Sequence, residues 1–520
     1  MQSATLRVVA GARQALSGRL APHALALLAK LDLGSPRATY VLRSILAAWL
    51  ALVVAYCLEL EMPYSAASTV LLVIHPIQGA VIGKGTWRVL GTLVGMAVSI
   101  VLMSAFAQMP WLFVLGFGLW LGLCVAGMTL LRHFRGSGVV VAGYTVGLAT
   151  FGALAHPHLT FEHVIGRGST VMIGVMSLGL VSALLSRRSV RSKLEGLLAR
   201  LASHAADALA KRHAHDADAP AARRQLMAEI YGVDDLLALG KAESADLAHR
   251  AGAVRHAMAS LFAALAGETP ASGSGAGRQR MLAAAWRDAA QAMNDGPAGA
   301  ERAAFVLREA RSGLKMTDAD ARQMSDVARL ADDIALERQI EQIDDYLAAL
   351  DGLAALHRAK PTRSPEPVHF HRDVTAAWQN GLRAMLTLVA AGAFWIVTGW
   401  PHGDMMLLIV SPYCALLATA PNPVAGAFQF IKGTALAIPA AFVCAFFVIP
   451  QIDGLPLLLV VLALFWLPGI YATTMPQHGL AALAYLVGFN TLTGADNPMH
   501  YDVALFLNWS VAWLLGTVFA

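Results

Sequence analysis

Twelve apolar stretches, six on either side of a long polar segment, constrain this chain more than anything else in it. The first six lie at about Ala38–Leu58, Pro63–Ile82, Val89–Ala107, Trp111–Leu131, Val139–Ala155 and Val164–Leu185. The second six lie near Leu382–Thr398, Met405–Ala420, Ile431–Ile449, Leu455–Thr473, Gly479–Leu492 and Val503–Ala520. Each approaches the ~20 residues that a helix needs to cross ~30 Å of hydrocarbon. Of the 520 residues, 57% are hydrophobic and 14% charged, where soluble domains carry about 25% charged. No water-soluble core could hide so much apolar surface. The expected fold is all-α, a polytopic membrane protein with two parallel six-helix transmembrane repeats and a helical cytoplasmic domain between them.

The expected domains are an N-terminal cytoplasmic segment (1–37), a first six-helix block (38–185), a helical domain (186–375) and a second six-helix block (376–520). The Met1–Leu33 stretch is Arg-bearing and amphipathic, with no cleavable signal pattern, so the first apolar helix is expected to stay in the mature protein. Composition changes at Ser186 to Ala, Arg, Asp and Glu, and Leu194–Leu201, Leu226–Leu239 and Ile334–Leu350 space their apolar residues as helices do. Thr317 with Asp320 resembles a capping box, Glu268–Gly277 reads as a flexible break, and Pro361–Pro367 as a stiff linker.

Loop charge sets the expected orientation. Lys84 and Arg88 follow the second apolar stretch, Arg132 and Arg135 the fourth, and Arg187, Arg188, Arg191 and Lys193 the sixth. The opposite loops are nearly free of Lys and Arg, with Arg167 the exception. Positive residues stay inside, so the N-terminus and the central domain are expected in the cytoplasm. The net charge of +5 is explained by these anchors and needs no nucleic-acid partner. Cys57, Cys124, Cys414 and Cys444 all fall in apolar stretches and read as packing thiols. No metal cluster, catalytic triad spacing or phosphate-binding Gly-rich loop is present in the sequence, so neither a cofactor nor an enzymatic activity is expected.

The two blocks echo one another. LLVIHP at Leu71–Pro76 returns as LLIVSP at Leu407–Pro412, PIQGAV at Pro76–Val81 as PVAGAF at Pro423–Phe428, and Gly91-Thr92 as Gly433-Thr434. Arg43 matches Arg383, and Pro63 matches Pro401. These matches in one order suggest an internal duplication, and duplicated blocks with interrupted apolar helices are a transporter signal. Six helices per copy start both copies on the same side, which makes the repeat parallel.

The stretch HPIQGAVIGKGTWRVLGTLVG (His75–Gly95), the WPHGDMMLLIVSP run in the second block and the Lys432-Gly433-Thr434 step resemble the fusaric acid resistance family, which includes the aromatic carboxylic acid exporters. The resemblance implies an inner-membrane efflux transporter for aromatic or other weak organic acids, driven by the proton gradient. It also implies a periplasmic membrane-fusion adaptor as partner and points to a homodimer. An organic-anion channel of similar six-helix architecture is the alternative.

Candidate residues follow from the cost of placing ionisable groups in lipid. Arg43 and Arg383 either snorkel to the headgroups or face the bundle and attract a carboxylate. His75, about 18 Å of helical rise beyond Pro63, is either a hydrogen-bonded packing histidine or a proton carrier. Its counterpart is Ser411. Asp404 either caps its helix or couples protons. Lys84, Arg88 and Lys432 are positive-inside anchors or a basic cytoplasmic entrance. The substrate set expected from these readings is Arg43, His75, Gln78, Arg383 and Ser411, with His75 and Asp404 for proton coupling. Pro76 and Pro412 are expected to break the second and eighth helices, and the freed backbone to line the substrate route.

Overall fold

The computed structural model describes residues 35–520 apart from 155, 186–189, 217, 268–275, 317–325, 357–371, 419, 421, 497 and 500. The expected N-terminal segment, the Thr317–Asp320 capping box and the Pro361–Pro367 linker therefore lie outside the described residues, as do most of Glu268–Gly277 and the residues Arg187 and Arg188. Among the described residues the secondary structure is helical, without strands. The chain divides into two compact units, one comprising Met1–Pro76, Lys84–Leu185 and Asp373–Ala520, the other Ile77–Gly83 and Ser186–Arg372.

The first unit contains α1 (Pro36–Cys57), α2 (Tyr64–Val73), most of α3 (Gln78–Phe106), α4 (Pro110–Leu130), α5 (His133–Thr150) and α6 (Thr160–Leu185). The second contains α7 (Val190–His213), α8 (Ala219–Glu243), α9 (Ala245–Ala266), α10 (Ala276–Met293), α11 (Ala300–Met316) and α12 (Asp326–Ala354). The first unit resumes with α13 (Val374–Thr398), α14 (Asp404–Ala418), α15 (Pro423–Val443), α16 (Leu455–Ala472), α17 (Gly479–Thr493) and α18 (Val503–Phe519). Among the described residues seven helices are long and apolar enough to cross a membrane: α1, α3, α4, α6, α13, α15 and α16, counting the short turns joined to α6 and α15. The apolar α2, α14, α17 and α18 are shorter. The protein is a multi-pass membrane protein.

Local chemistry explains many of the helix ends. The Ser35 hydroxyl accepts from the Ala38 amide at 3.2 Å, and Pro36 occupies the first helical position. Asp373, Asn422 and Asp502 cap α13, α15 and α18 in the same way, accepting from the amide three residues on at 2.8 to 3.1 Å. Gly399 and Gly494, both with positive φ, close α13 and α17.

Of the two expected breaks one is present and one is not. The first is where expected: α2 stops at Val73 and the backbone turns extended at Ile74, with ψ near 137°, ahead of Pro76. The basic turn that should follow does not exist. Helix α3 runs unbroken for 29 residues from Gln78, so Lys84 and Arg88 sit inside a helix. Gly83 and Gly85 weaken a helix by only ~1 kcal/mol each, which packing overrides. The second expected break is absent, because α14 continues through Pro412 to Ala418. Proline removes the amide that would reach the Leu408 carbonyl. The Ser411 hydroxyl donates to that carbonyl instead, at 3.4 Å.

Helix packing in the first unit follows matched pairs. α2 lies on α17 as α14 lies on α5; α1 on α16 as α13 on α4; α2 on α6 as α14 on α18; α1 on α2 as α13 on α14. Glycine sets the closest of the crossings between membrane helices. A Cβ at Gly91 on α3 would lie 2.2 Å from the Gly138 carbonyl oxygen on α5, and one at Gly433 on α15 would lie 2.2 Å from the Ala481 oxygen on α17. Only glycine permits such backbone approach. Gly174 meets the Ala66 carbonyl, and Gly516 the Met406 carbonyl, at the corresponding crossings of α6 on α2 and α18 on α14.

The second unit is a helical bundle with its own apolar core. The spacings at Leu194–Leu201, Leu226–Leu239 and Ile334–Leu350 fall in α7, α8 and α12, as expected. Their apolar faces close over Trp286 and Tyr346, whose rings meet edge-on at 5.1 Å. The Tyr346 hydroxyl donates to the Ala202 carbonyl at 2.7 Å, and Asp234, fully buried, is paired with Arg255 at 2.9 Å.

Candidate functional site

A cavity of about 280 Å³ opens inside the first unit, walled by α2, α3, α5, α6, α14, α15, α17 and α18. Three cations line it: Lys84 and Arg88 from α3, and Arg167 from α6. Arg88, only 6% exposed, donates to the Tyr144 hydroxyl at 2.7 Å and lies 5.9 Å from the centre of that ring. Arg167 donates to the Ser65 hydroxyl. The Nε of Arg88 and the Nε of Arg167 are buried without a hydrogen-bond partner among the described residues. None of the three cations has a carboxylate within ion-pair distance among the described residues; the Glu61 carboxylate at the edge of the cavity is held by His163 at 2.8 Å.

A second group of lining residues is aromatic: Tyr413 from α14, Phe430 from α15 and Trp513 from α18, with Phe151 at the end of α5 also on the cavity. The Tyr413 and Phe430 rings are 4.4 Å apart at a 34° tilt, and Phe151 packs edge-on against Trp509 at 5.7 Å. Asn490 of α17 ties this side to α2, donating to the Tyr64 carbonyl at 2.7 Å and the Ser68 hydroxyl at 2.5 Å. Three cations outside ion-pair distance of any carboxylate among the described residues, together with several rings on the same cavity, suit a small anion with an apolar, planar body.

The residues singled out from sequence distribute unevenly. Lys84 and Arg88 line the cavity, though as helical wall residues rather than at a loop entrance. Arg43 is buried and donates to the backbone carbonyl of His75, so it satisfies the acceptor freed by the break after α2. Its sequence match Arg383 is exposed on α13. Gln78 is the buried first residue of α3 and belongs with the second compact unit. Ser411 is fully buried and serves the Leu408 carbonyl. Asp404 opens α14 and accepts from the Met405 amide at 3.0 Å. Lys432 is exposed in mid-helix on α15. None of Arg43, His75, Gln78, Arg383, Ser411, Asp404 or Lys432 lines the cavity. Arg167 does, and its sequence signal was its breach of the loop-charge rule.

The Fusaric acid resistance protein family model matches residues 37–520. An uncharacterized transporter of Gluconobacter oxydans is 26% identical over 93% of this chain and 69% of its own length. The p-hydroxybenzoic acid efflux pump subunit AaeB of Musicola paradisiaca is 24% identical over 93% of this chain and 75% of its own. The fusaric acid resistance protein FusC of Burkholderia cepacia is 36% identical over 32% of this chain and 48% of its own. The chain belongs to the fusaric acid resistance protein family.

Proposed function

We propose that this member of the fusaric acid resistance family is an inner-membrane exporter of aromatic carboxylates, and that Lys84, Arg88 and Arg167 hold the carboxylate while the ring lies against the aromatic wall. The observation that carries this reading is the set of three cations on one cavity, none of them within ion-pair distance of a carboxylate among the described residues. A charge placed in the membrane costs roughly 2.5–3.5 kcal/mol on insertion scales, and an anionic ligand offsets that cost. The name of the efflux pump subunit among the relatives supports the substrate class.

The unit that holds the cavity is built from two related six-helix halves, a reading supported by the repeated sequence motifs and the matched crossings at Gly91 and Gly433. The loop charges support a cytoplasmic N-terminus and a cytoplasmic α7–α12 domain. Arg43 acts on the route by holding the break after α2, where its guanidinium meets the His75 carbonyl. Export is driven by the proton-motive force and handed to a periplasmic adaptor, as the family resemblance implies; a homodimer is the expected assembly.

Transport of labelled benzoate into inverted membrane vesicles tests the function. Uptake that needs the protein and collapses with a proton ionophore is expected. Flux that follows only the anion's own electrochemical gradient would identify a channel instead, and no protein-dependent flux for any aromatic acid would refute the assignment.

A further inference from the structure

The matched halves place different chemistry at the same positions. On α3 the order is Arg88-x-x-Gly91-Thr92; on α15 it is Phe430-x-x-Gly433-Thr434. Gly91 and Gly433 fix the register of these helices at equivalent crossings. Arg88 and Phe430, one turn earlier, are therefore held in equivalent places, and both are buried on the wall of the same cavity. The second crossing repeats the pattern. Arg167 stands two turns before Gly174 on α6, and Trp509 two turns before Gly516 on α18. Arg167 lines the cavity, and Trp509 backs the lining residue Phe151. One half contributes cations where the other contributes rings.

The aromatic wall also carries polar atoms. The Tyr413 hydroxyl, the Trp513 indole nitrogen and the Thr434 hydroxyl are neighbours, and beyond one another they have no hydrogen-bond partner among the described residues. Their residues are 3%, 0% and 0% exposed. Buried polar groups are nearly always satisfied, and Tyr413 and Trp513 both face the cavity.

We infer that Tyr413, Phe430 and Trp513 form a ring-recognition subsite, in which Phe430 supplies the stacking surface and the Tyr413 hydroxyl with the Trp513 N–H reads a polar substituent on the ring. The inference rests on the export reading for the opposite, cationic end. It makes the preferred substrate class single-ring aromatic acids bearing a hydroxyl or similar polar group, a size in keeping with a cavity of about 280 Å³.

Binding to the purified full-length protein in lipid nanodiscs tests it with five probes: 4-hydroxybenzoate, benzoate, cyclohexanecarboxylate, propionate and phenol. Tyr413→Phe should weaken 4-hydroxybenzoate and phenol by about 10-fold and leave benzoate unchanged, since only a hydrogen bond is removed. Phe430→Leu should weaken both aromatic acids relative to cyclohexanecarboxylate by about 10-fold. Arg88→Gln should weaken all four acids together and spare phenol. Equal effects of Tyr413→Phe on 4-hydroxybenzoate and benzoate would overturn the hydrogen-bonding role, and an unchanged aromatic-to-cyclohexane ratio in Phe430→Leu the stacking role. If Phe430→Leu does not fold, Tyr413→Phe decides the matter. Phenol separates this inference from the export reading: phenol binding that responds to Tyr413→Phe, with no acid bound, would leave the subsite standing and remove the carboxylate site. Binding of none of the five would overturn both.

Discussion

The Arg88 guanidinium donates to the Tyr144 hydroxyl at 2.7 Å, from α3 to α5, on the wall of the cavity. This contact aims a fixed charge without neutralising it, because a phenol hydroxyl accepts the hydrogen bond and carries no counter-charge. The rest of the guanidinium remains available to a ligand.

Arg88→Gln is expected to lower apparent affinity for transported carboxylates by at least about 10-fold, since hydrogen bonds to charged groups contribute ~1.5–3 kcal/mol. Arg88→Lys should retain part of the activity, because lysine keeps the charge and loses the fork. Tyr144→Phe should cost less than either. Uptake into inverted vesicles at graded substrate concentrations gives the ranking, and equal activity of Arg88→Gln and wild type would remove Arg88 from the site.

Arg43→Gln should loosen the break after α2, because the His75 carbonyl loses its buried donor. Export is expected to fall while membrane levels stay normal, and amide exchange at Ile74 and the residues after Pro76 should speed up. Unchanged exchange there would show that the guanidinium does not hold the break.

Gly91→Ala and Gly433→Ala should each destabilise the membrane unit by roughly 1–3 kcal/mol, as overpacked sites do, because the new methyl would meet a carbonyl oxygen at 2.2 Å. Gly196→Ala on α7 has open space around it and should stabilise the protein by ~0.5–1 kcal/mol. Thermal unfolding in detergent compares the three, and a gain in stability from Gly91→Ala would contradict the close crossing.

Asp496, in the loop after α17, has its carboxyl pushed up to about 7 by burial, with the Glu61 carboxylate adding to the effect. An unfolded aspartate releases its proton near pH ~3.9. Between those values the folded state binds the extra proton, so this group's contribution is full at low pH, falls as pH rises toward 7 and is constant above it. Melting temperatures of wild type and Asp496→Asn across pH 4.5 to 8 should therefore converge in slope only above about 7. Parallel profiles throughout would contradict the raised value.

His213, at the end of α7, has the opposite sign. Burial pushes its imidazole down to about 4, although Gln342 offers a hydrogen bond at 3.2 Å. The unfolded imidazole takes a proton near pH ~6.5, so the fold loses stability as pH falls from there toward 4. Amide exchange in α7 and α12 should quicken between pH 7 and pH 5 after correction for intrinsic rates. His213→Asn should flatten that dependence, and an unaltered dependence would place its origin elsewhere.

Much of the architecture was legible in the residues. Apolar runs of spanning length locate the membrane helices, the 3.6-residue spacing locates α7, α8 and α12, and Pro76 marks the end of α2, because each of these is a property of neighbouring residues. The missing break at Pro412 was not legible. It depends on the Ser411 hydroxyl turning toward the Leu408 carbonyl, and a rotamer is chosen by the surrounding packing. The turn expected at Lys84 and Arg88 failed for a related reason. Basic residues signal a loop when lipid surrounds them, but these two line a cavity from within a helix.

The candidate site divides along the same line. The sequence by itself determined that the chain is a multi-pass helical membrane protein of this family, that Arg167 breaks the loop-charge pattern, and that matched motifs recur in the two blocks. Only the tertiary structure decided that Lys84, Arg88 and Arg167 share one cavity with Tyr413, Phe430 and Trp513, and that Arg43 and Ser411 serve backbone carbonyls instead. The physical reason is that those residues come from helices far apart in the chain. Which face of each helix turns inward is set by backbone contacts such as Gly91 on Gly138 and Gly433 on Ala481, and neither partner's sequence specifies such a contact alone.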